Sequence, residues 1–242
     1  MQHSLIAKLI SFLLLYPFPI NSALSKDIDN IDNQLLISKL EENLNTNERH
    51  LLKDLFHKTS FKQFDKKHLD FKRKYKDTKW SINTIRNHPD KTILNVQIKS
   101  QTEINGQVYN LNSNQTVQIE TFKNKIKSYQ IINEESILSS QNSPLVVKII
   151  SPDKVLTGER YEINLIIDKP LDNSLIASGM IVLKNNENIN ISNDRFGIKP
   201  NLSGGLFKYI QAPLEPGFQT ISAIITHPEG IYSITKKIKV DL

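Results

Sequence analysis

The stretch that decides the architecture is Phe61-Lys62-Gln63-Phe64-Asp65-Lys66-Lys67-His68-Leu69-Asp70-Phe71-Lys72-Arg73-Lys74-Tyr75, followed by Trp80-Ser81-Ile82 and Leu94-Asn95-Val96-Gln97-Ile98-Lys99. In its first part Phe61, Phe64, His68, Phe71 and Tyr75 recur at helical spacing, which at about 100° per residue is one narrow aromatic stripe built for burial. From Lys79 the period drops to two: Leu94, Val96 and Ile98 alternate with Asn95, Gln97 and Lys99, the pattern of a half-buried strand. The expected fold class is therefore α+β, with N-terminal helices packed on a curved antiparallel sheet.

Working outward, Leu35, Leu36, Ile37, Leu40 and Leu44 predict an earlier helix. Asn45-Thr46-Asn47 breaks it and offers a cap for a second helix carrying Leu51, Leu52, Leu55 and Phe56. Ser60-Phe61-Lys62-Gln63 fits a capping box at the start of the aromatic helix. Downstream, Asn105-Gly106 is a strong type I′ hairpin signal, because both positions need positive φ. Lys123-Asn124 predicts a second tight turn, and strands run through Val108 to Leu111, Val117 and Ile119, and Lys125 to Ile132.

Helices followed by a bent sheet that closes in the hairpin Glu120 to Tyr129, with Asn124-Lys125-Ile126 where many members carry Gly-Lys-Ile, resemble the nuclear transport factor 2-like fold over residues 34–138. That group includes ketosteroid isomerases and dehydratases, whose cone holds an Asp, His or Tyr. Here the inward positions are mostly Leu94, Val96, Ile98, Val117 and Ile119, so the resemblance implies a pocket but no reaction.

Glu134 to Pro144 reads as a linker or strand end. Beyond it come short strands at Leu145 to Ile150, Tyr161 to Ile167, Ile176 to Leu183, Ile189 to Ile191, Leu206 to Ile210, Gln219 to Thr226 and Tyr232 to Val240, separated by Pro, Gly and Asn turns. This is the arithmetic of an antiparallel β-sandwich. Ala212 to Ile225, where Pro216-Gly217 feeds an alternating strand, resembles the E–F corner of bacterial immunoglobulin-like or fibronectin type III-like domains. The antibody-type Cys and core Trp are absent, and the corner tyrosine is replaced near Phe218 or Gln219. The expected organisation is a signal peptide over 1–25, helices plus curved sheet over 26–138, a linker over 139–143 and an immunoglobulin-like sandwich over 144–242.

The signal peptide rests on Lys8 followed by the apolar run Leu9 to Tyr16, on Pro17 and Pro19, and on Ala23-Leu24-Ser25, which satisfies the small-x-small rule for a cut before Lys26 or after Ala23. The apolar run is shorter than the roughly 20 residues a membrane span requires, so no transmembrane span is expected in the mature chain. The expected location is periplasmic or secreted, which makes nucleic acid an unexpected partner. With no Cys among 242 residues, disulfide frameworks, Cys-ligated metals, thiol nucleophiles and a lipidated anchor are all excluded.

The formal charge is +6, from 31 Lys+Arg against 25 Asp+Glu. The charge is local: Arg49 to Lys79 holds 11 basic and four acidic residues, a net of +7. Lys62, Lys66 and Arg73 fall opposite the aromatic stripe and are the candidate binding residues for an anionic envelope surface. The competing reading is a solvated helix face, supported by the i,i+4 spacings Lys66 to Asp70, Asp70 to Lys74 and Arg73 to Asp77.

No metal site is expected of His50, His57 and His68, because their spacing does not bring them to one ion and His68 interrupts the stripe. Asp172, Asn173, Asn185 to Asn188, Asn193 and Asp194 read as turn residues rather than calcium ligands. Phosphate-cradling, zinc-protease and serine-hydrolase motifs are absent. Catalytic residues and cofactors are accordingly not assigned. The expected function is an exported, non-catalytic two-domain binding or interaction protein of the cell envelope, with an unknown protein, a small ligand or an anionic envelope component as partner. The alternatives are a small-molecule pocket enzyme of isomerase, dehydratase or hydrolase type, and anionic-surface binding through the basic helix.

Overall fold

The computed structural model describes residues 30–46, 48–88, 91–168, 175–183, 196–201 and 204–242. The expected signal peptide, the strand at Ile189 to Ile191 and the Asn-rich loops at 172–173 and 185–194 lie outside them. Three helices come first, α1 (Asn30–Thr46), α2 (Arg49–Asp54) and α3 (Lys58–Lys74). An antiparallel meander follows, β1 (Lys79–Asn87), β2 (Thr92–Ile104), β3 (Gln107–Phe122) and β4 (Lys125–Ser140). The class is α+β. Among the described residues, no helix is long and apolar enough to cross a membrane.

Contacts group the described chain into two compact units, residues 30–102 with 112–132, and residues 103–111 with 133–242. In the first, Leu36, Ile37, Leu40 and Leu44 of α1 are buried, as are the sheet residues Leu94, Val96, Ile98, Val117 and Ile119. The α3 stripe packs as an aromatic chain: Phe64 stacks on Phe56 at 4.7 Å and on His68 at 5.2 Å, and Phe71 contacts Tyr75 at 4.8 Å and Trp80 at 5.6 Å. Tyr75 is completely buried. Such pairs add about 0.5–1.5 kcal/mol each beyond the apolar area they bury.

Two local expectations are corrected. Ser60 does not cap α3: the helix begins at Lys58 with His57 as an N-cap whose side chain makes no capping bond. Instead Ser60 Oγ lies 2.7 Å from the Ile126 carbonyl, and a hydroxyl committed to a strand is lost to the helix end. Leu55 and Phe56 likewise leave α2, because their backbone is taken by the β-hairpin. Ile126 N–H donates to Leu55 O at 2.8 Å, His57 N–H donates to Ile126 O at 3.0 Å, and Phe56 forms a parallel bridge to Ile126.

Both turn signals hold. Asn105 and Gly106 have φ of 52° and 77°, Lys123 and Asn124 have 49° and 55°, the left-handed pair that a type I′ hairpin requires.

The second unit continues with β5 (Val147–Ile150), β6 (Lys154–Leu156), β7 (Arg160–Ile167), β8 (Ile176–Leu183), β9 (Lys199–Asn201), β10 (Gly205–Gln211), β11 (Gly217–His227) and β12 (Gly230–Asp241). In this unit one sheet runs β4-β12-β11-β8-β9, with β6 parallel to β12, and the other runs β10-β7-β5. A single apolar cluster draws on both, including Leu165, Ile163, Met180, Ile225 and Ile238. Gln219 ties the corner between β10 and β11: its Oε1 accepts from Tyr161 Oη at 2.6 Å and its Nε2 donates to Gln211 O at 3.2 Å.

Of the two readings of Glu134 to Pro144, strand end holds as far as Ser140, and Glu134 to Ser140 pairs with β12 in the register Tyr232↔Ser139 through Lys237↔Glu134. That ladder explains why contacts place residues 133–140 with the C-terminal strands. Opposite charges face each other in it, Lys236 against Glu135 and Lys237 against Glu134, and three of the four are buried.

Candidate functional site

The basic segment comprises α2, α3 and the turn into β1. Its acids are largely engaged. Arg49 forms a two-pronged pair with Asp65, Nε to Oδ1 at 2.7 Å and Nη2 to Oδ2 at 2.6 Å, and this guanidinium holds the Asp65 carboxyl below the usual range. Arg73 pairs with Asp70 at 2.7 Å, three residues back. The expected pairing of Arg73 with Asp77 is not made, because α3 ends at Lys74 and Tyr75 is extended (φ −125°, ψ 100°), which takes Asp77 off the helix. Side chains also tilt toward a helix N-terminus, which favours Asp70. Lys66 does not pair with Asp70 either, since Arg73 occupies that carboxylate. Lys74 keeps an electrostatic interaction with Asp70.

Lys62 and Lys66 are exposed, and among the described residues neither makes an ion pair. Of the three candidate residues, α3 therefore presents two as free ammonium groups and Arg73 as a paired one. Burial lowers the pKa of Lys67 and of Lys74, so these cations belong partly to the packed side of the helix.

The histidines do not converge. His50 lies beside Glu48 at 3.3 Å and His57 Nε2 lies 2.9 Å from Phe122 O. His68 is buried between Phe64 and Trp80, and burial, followed by the nearby Lys72 charge, pushes its pKa down to about 4 against a weaker opposing pull from Asp65. Among the described residues no group of three His, Cys, Asp or Glu is arranged to hold a metal ion.

Two features escaped sequence reasoning. First, α1 side chains satisfy the outer edge of β1. Asn45 Oδ1 accepts from Trp80 N–H at 2.8 Å, Asn45 Nδ2 donates to Trp80 O at 2.9 Å, and Glu41 Oε2 accepts from Ile82 N–H at 2.7 Å. Asn45 thus imitates a neighbouring strand from within α1, which continues through it to Thr46, so it is not the helix breaker that its sequence context suggests. Second, a cleft of about 510 Å³ opens where α3 passes into β1, lined by Lys72, Lys76, Asp77, Lys79 and Trp80, with Asn45 and Thr78 as walls. The run Lys72 to Lys79 was visible, but a helical wheel cannot place Lys76 and Lys79, which lie beyond the helix.

Residues 142–241 match the model of a family described as a domain of unknown function (DUF8623). No curated protein matches the chain.

Proposed function

We propose that this chain is an exported, non-catalytic binding or interaction protein of the cell envelope, whose helical unit offers a cationic face and whose C-terminal unit is an immunoglobulin-like module that spaces or presents it. The observation that carries this reading is where the free chemistry sits. The sheet positions that would line a catalytic cone, Leu94, Val96, Ile98, Val117 and Ile119, are apolar and buried, whereas Lys62 and Lys66 face solvent without acidic partners among the described residues. A pocket enzyme gains no comparable support.

The finer fold readings rest on particular contacts. Element order and the pinned β3–β4 turn support a nuclear transport factor 2-like unit. For the immunoglobulin-like module the support is the division into β10-β7-β5 and β12-β11-β8-β9, the parallel β6–β12 pairing, and Gln219 at the corner.

Two measurements test the proposal. Mass spectrometry of the exported protein should give an N-terminus at Lys26, or at Leu24 if the cut follows Ala23; an intact Met1 on cytoplasmic protein refutes export. For the cationic face, the triple variant Lys62→Glu, Lys66→Glu, Arg73→Glu should lose binding to vesicles of phosphatidylglycerol and phosphatidylcholine, and wild-type binding should weaken with salt, because exposed charges are screened within about 10 Å at 0.1 M ionic strength. Equal, salt-insensitive binding by both proteins would leave α3 as a solvated helix face.

A further inference from the structure

We infer that the cleft at the α3–β1 junction is a discrete anion site that takes a phosphate group between Lys72, Lys76 and Lys79. The inference deepens the cationic-face reading but uses different residues from Lys62, Lys66 and Arg73.

Three lysines and one acid, Asp77, line the cleft, a net of +2 among its charged residues. Lys76 and Lys79 are exposed and form no ion pair among the described residues. A Lys cluster after a helix is ordinarily explained by the carbonyls at the helix C-terminus, which carry partial negative charge. Here Phe71 O and Lys74 O in the last turn, and Tyr75 O and Asp77 O just beyond it, have other donors. Thr102 Oγ1 donates to Lys74 O at 2.6 Å, Thr78 Oγ1 to Tyr75 O at 3.1 Å, Tyr75 N–H to Phe71 O at 2.9 Å, and Ser100 Oγ to Asp77 O at 3.3 Å. These four carbonyls therefore do not need the ammonium groups as caps.

The walls are fixed before any ligand arrives, because the Asn45 amide is locked to Trp80 and the Thr78 hydroxyl is spent on Tyr75 and Ser100. Lys72 is drawn partly out of water, and burial lowers its pKa despite the Asp77 charge. A partly desolvated ammonium gains more from a second anion than a hydrated one does, because attraction is stronger where the effective dielectric is lower. Ammonium groups act as point charges and suit the multiple oxygens of a phosphate better than a single planar carboxylate.

Trp80, the chain's only tryptophan, lines the cleft and supplies the readout. Intrinsic fluorescence is titrated with inorganic pyrophosphate near neutral pH in the full chain, its Lys76→Ala, Lys79→Ala variant and the Lys62→Glu, Lys66→Glu, Arg73→Glu variant. A saturable change that the triple variant keeps and the double variant shows at least about tenfold more weakly is the expected result. Both double-variant positions are exposed, so folding is retained and is checked by the thermal melt.

Phosphatidylglycerol vesicles separate the sources of the phosphate. Vesicle binding that falls in the double variant and is displaced by pyrophosphate assigns a lipid headgroup. Vesicle binding indifferent to the double variant, alongside saturable pyrophosphate binding, assigns a free phosphate compound. An unsaturable response, or one equal in wild type and double variant, overturns the site; vesicle binding lost only in the triple variant would then leave the broader cationic-face reading standing.

Discussion

Lys237→Met should destabilise the C-terminal unit by about 3–5 kcal/mol, the usual cost of leaving a buried charge without its partner. Lys237 and Glu134 are 3% and 1% exposed and lie directly opposite in the β4–β12 ladder. Ser136 Oγ donates to Glu134 Oε1 at 2.8 Å, and the Lys237 ammonium also lies over the Phe218 ring at 4.3 Å. Loss of the ammonium leaves Glu134 either charged in a buried position with the facing cation gone or obliged to take up a proton. Adding Glu134→Leu to Lys237→Met should restore most of the loss, since replacing a whole buried pair by apolar groups is often neutral or stabilising. Urea unfolding of wild type, both single variants and the double variant gives the coupling directly. A single-variant cost below about 1 kcal/mol, the range of exposed pairs, would show that the pair is solvated. Lys236 is a milder case, because its partners Glu135 and Asp153 are 39% and 69% exposed at 3.3 Å and 2.6 Å.

The second large effect is acid sensitivity of the helical unit. His68 titrates near 4 in the folded chain and near 6.5 when unfolded. A depressed folded value means that the unfolded chain binds the proton first, so the contribution is complete above about pH 6.5 and is lost as the pH falls from there toward 4. About 2 kcal/mol should be gone by pH 5. Asp65, whose carboxyl is held low by Arg49, acts in a separate and more acidic window. His68→Phe keeps the aromatic stack with Phe64 and Trp80 and should flatten the slope of stability against pH between 6.5 and 5. Urea midpoints for the two proteins across that interval decide it, and parallel slopes would place the acid sensitivity elsewhere.

What the sequence made legible was periodic or stereochemically forced. The aromatic stripe, the alternation from Leu94 to Ile98 and the positive-φ turns at Asn105-Gly106 and Lys123-Asn124 need no partner to be read, because local pattern and backbone sterics determine them. What it hid was long-range. Ser60 has every mark of a helix cap, yet Ile126, sixty-six residues away, takes its hydroxyl. Asn45 reads as a breaker and serves as a surrogate strand for Trp80. Glu134-Glu135 reads equally as polar linker or strand end until Lys236-Lys237 is known to lie opposite. The candidate residues Lys62 and Lys66 were legible because they sit on a regular helix. The lysine cleft was not, because it forms where that helix stops.

The Glu134–Lys237 ladder also bears on what counts as a transplantable module. The family match begins at residue 142, whereas the strand whose Glu134 and Glu135 lie opposite Lys237 and Lys236 ends at Ser140. The matched segment is thus shorter than the segment that seals its own edge. A graft carrying only residues 142–241 would keep Asp153 for Lys236 and the Phe218 ring for Lys237, but it would bring a β12 flank open from Tyr232 to Lys237, and any host would have to provide a replacement for Glu134 to Ser140.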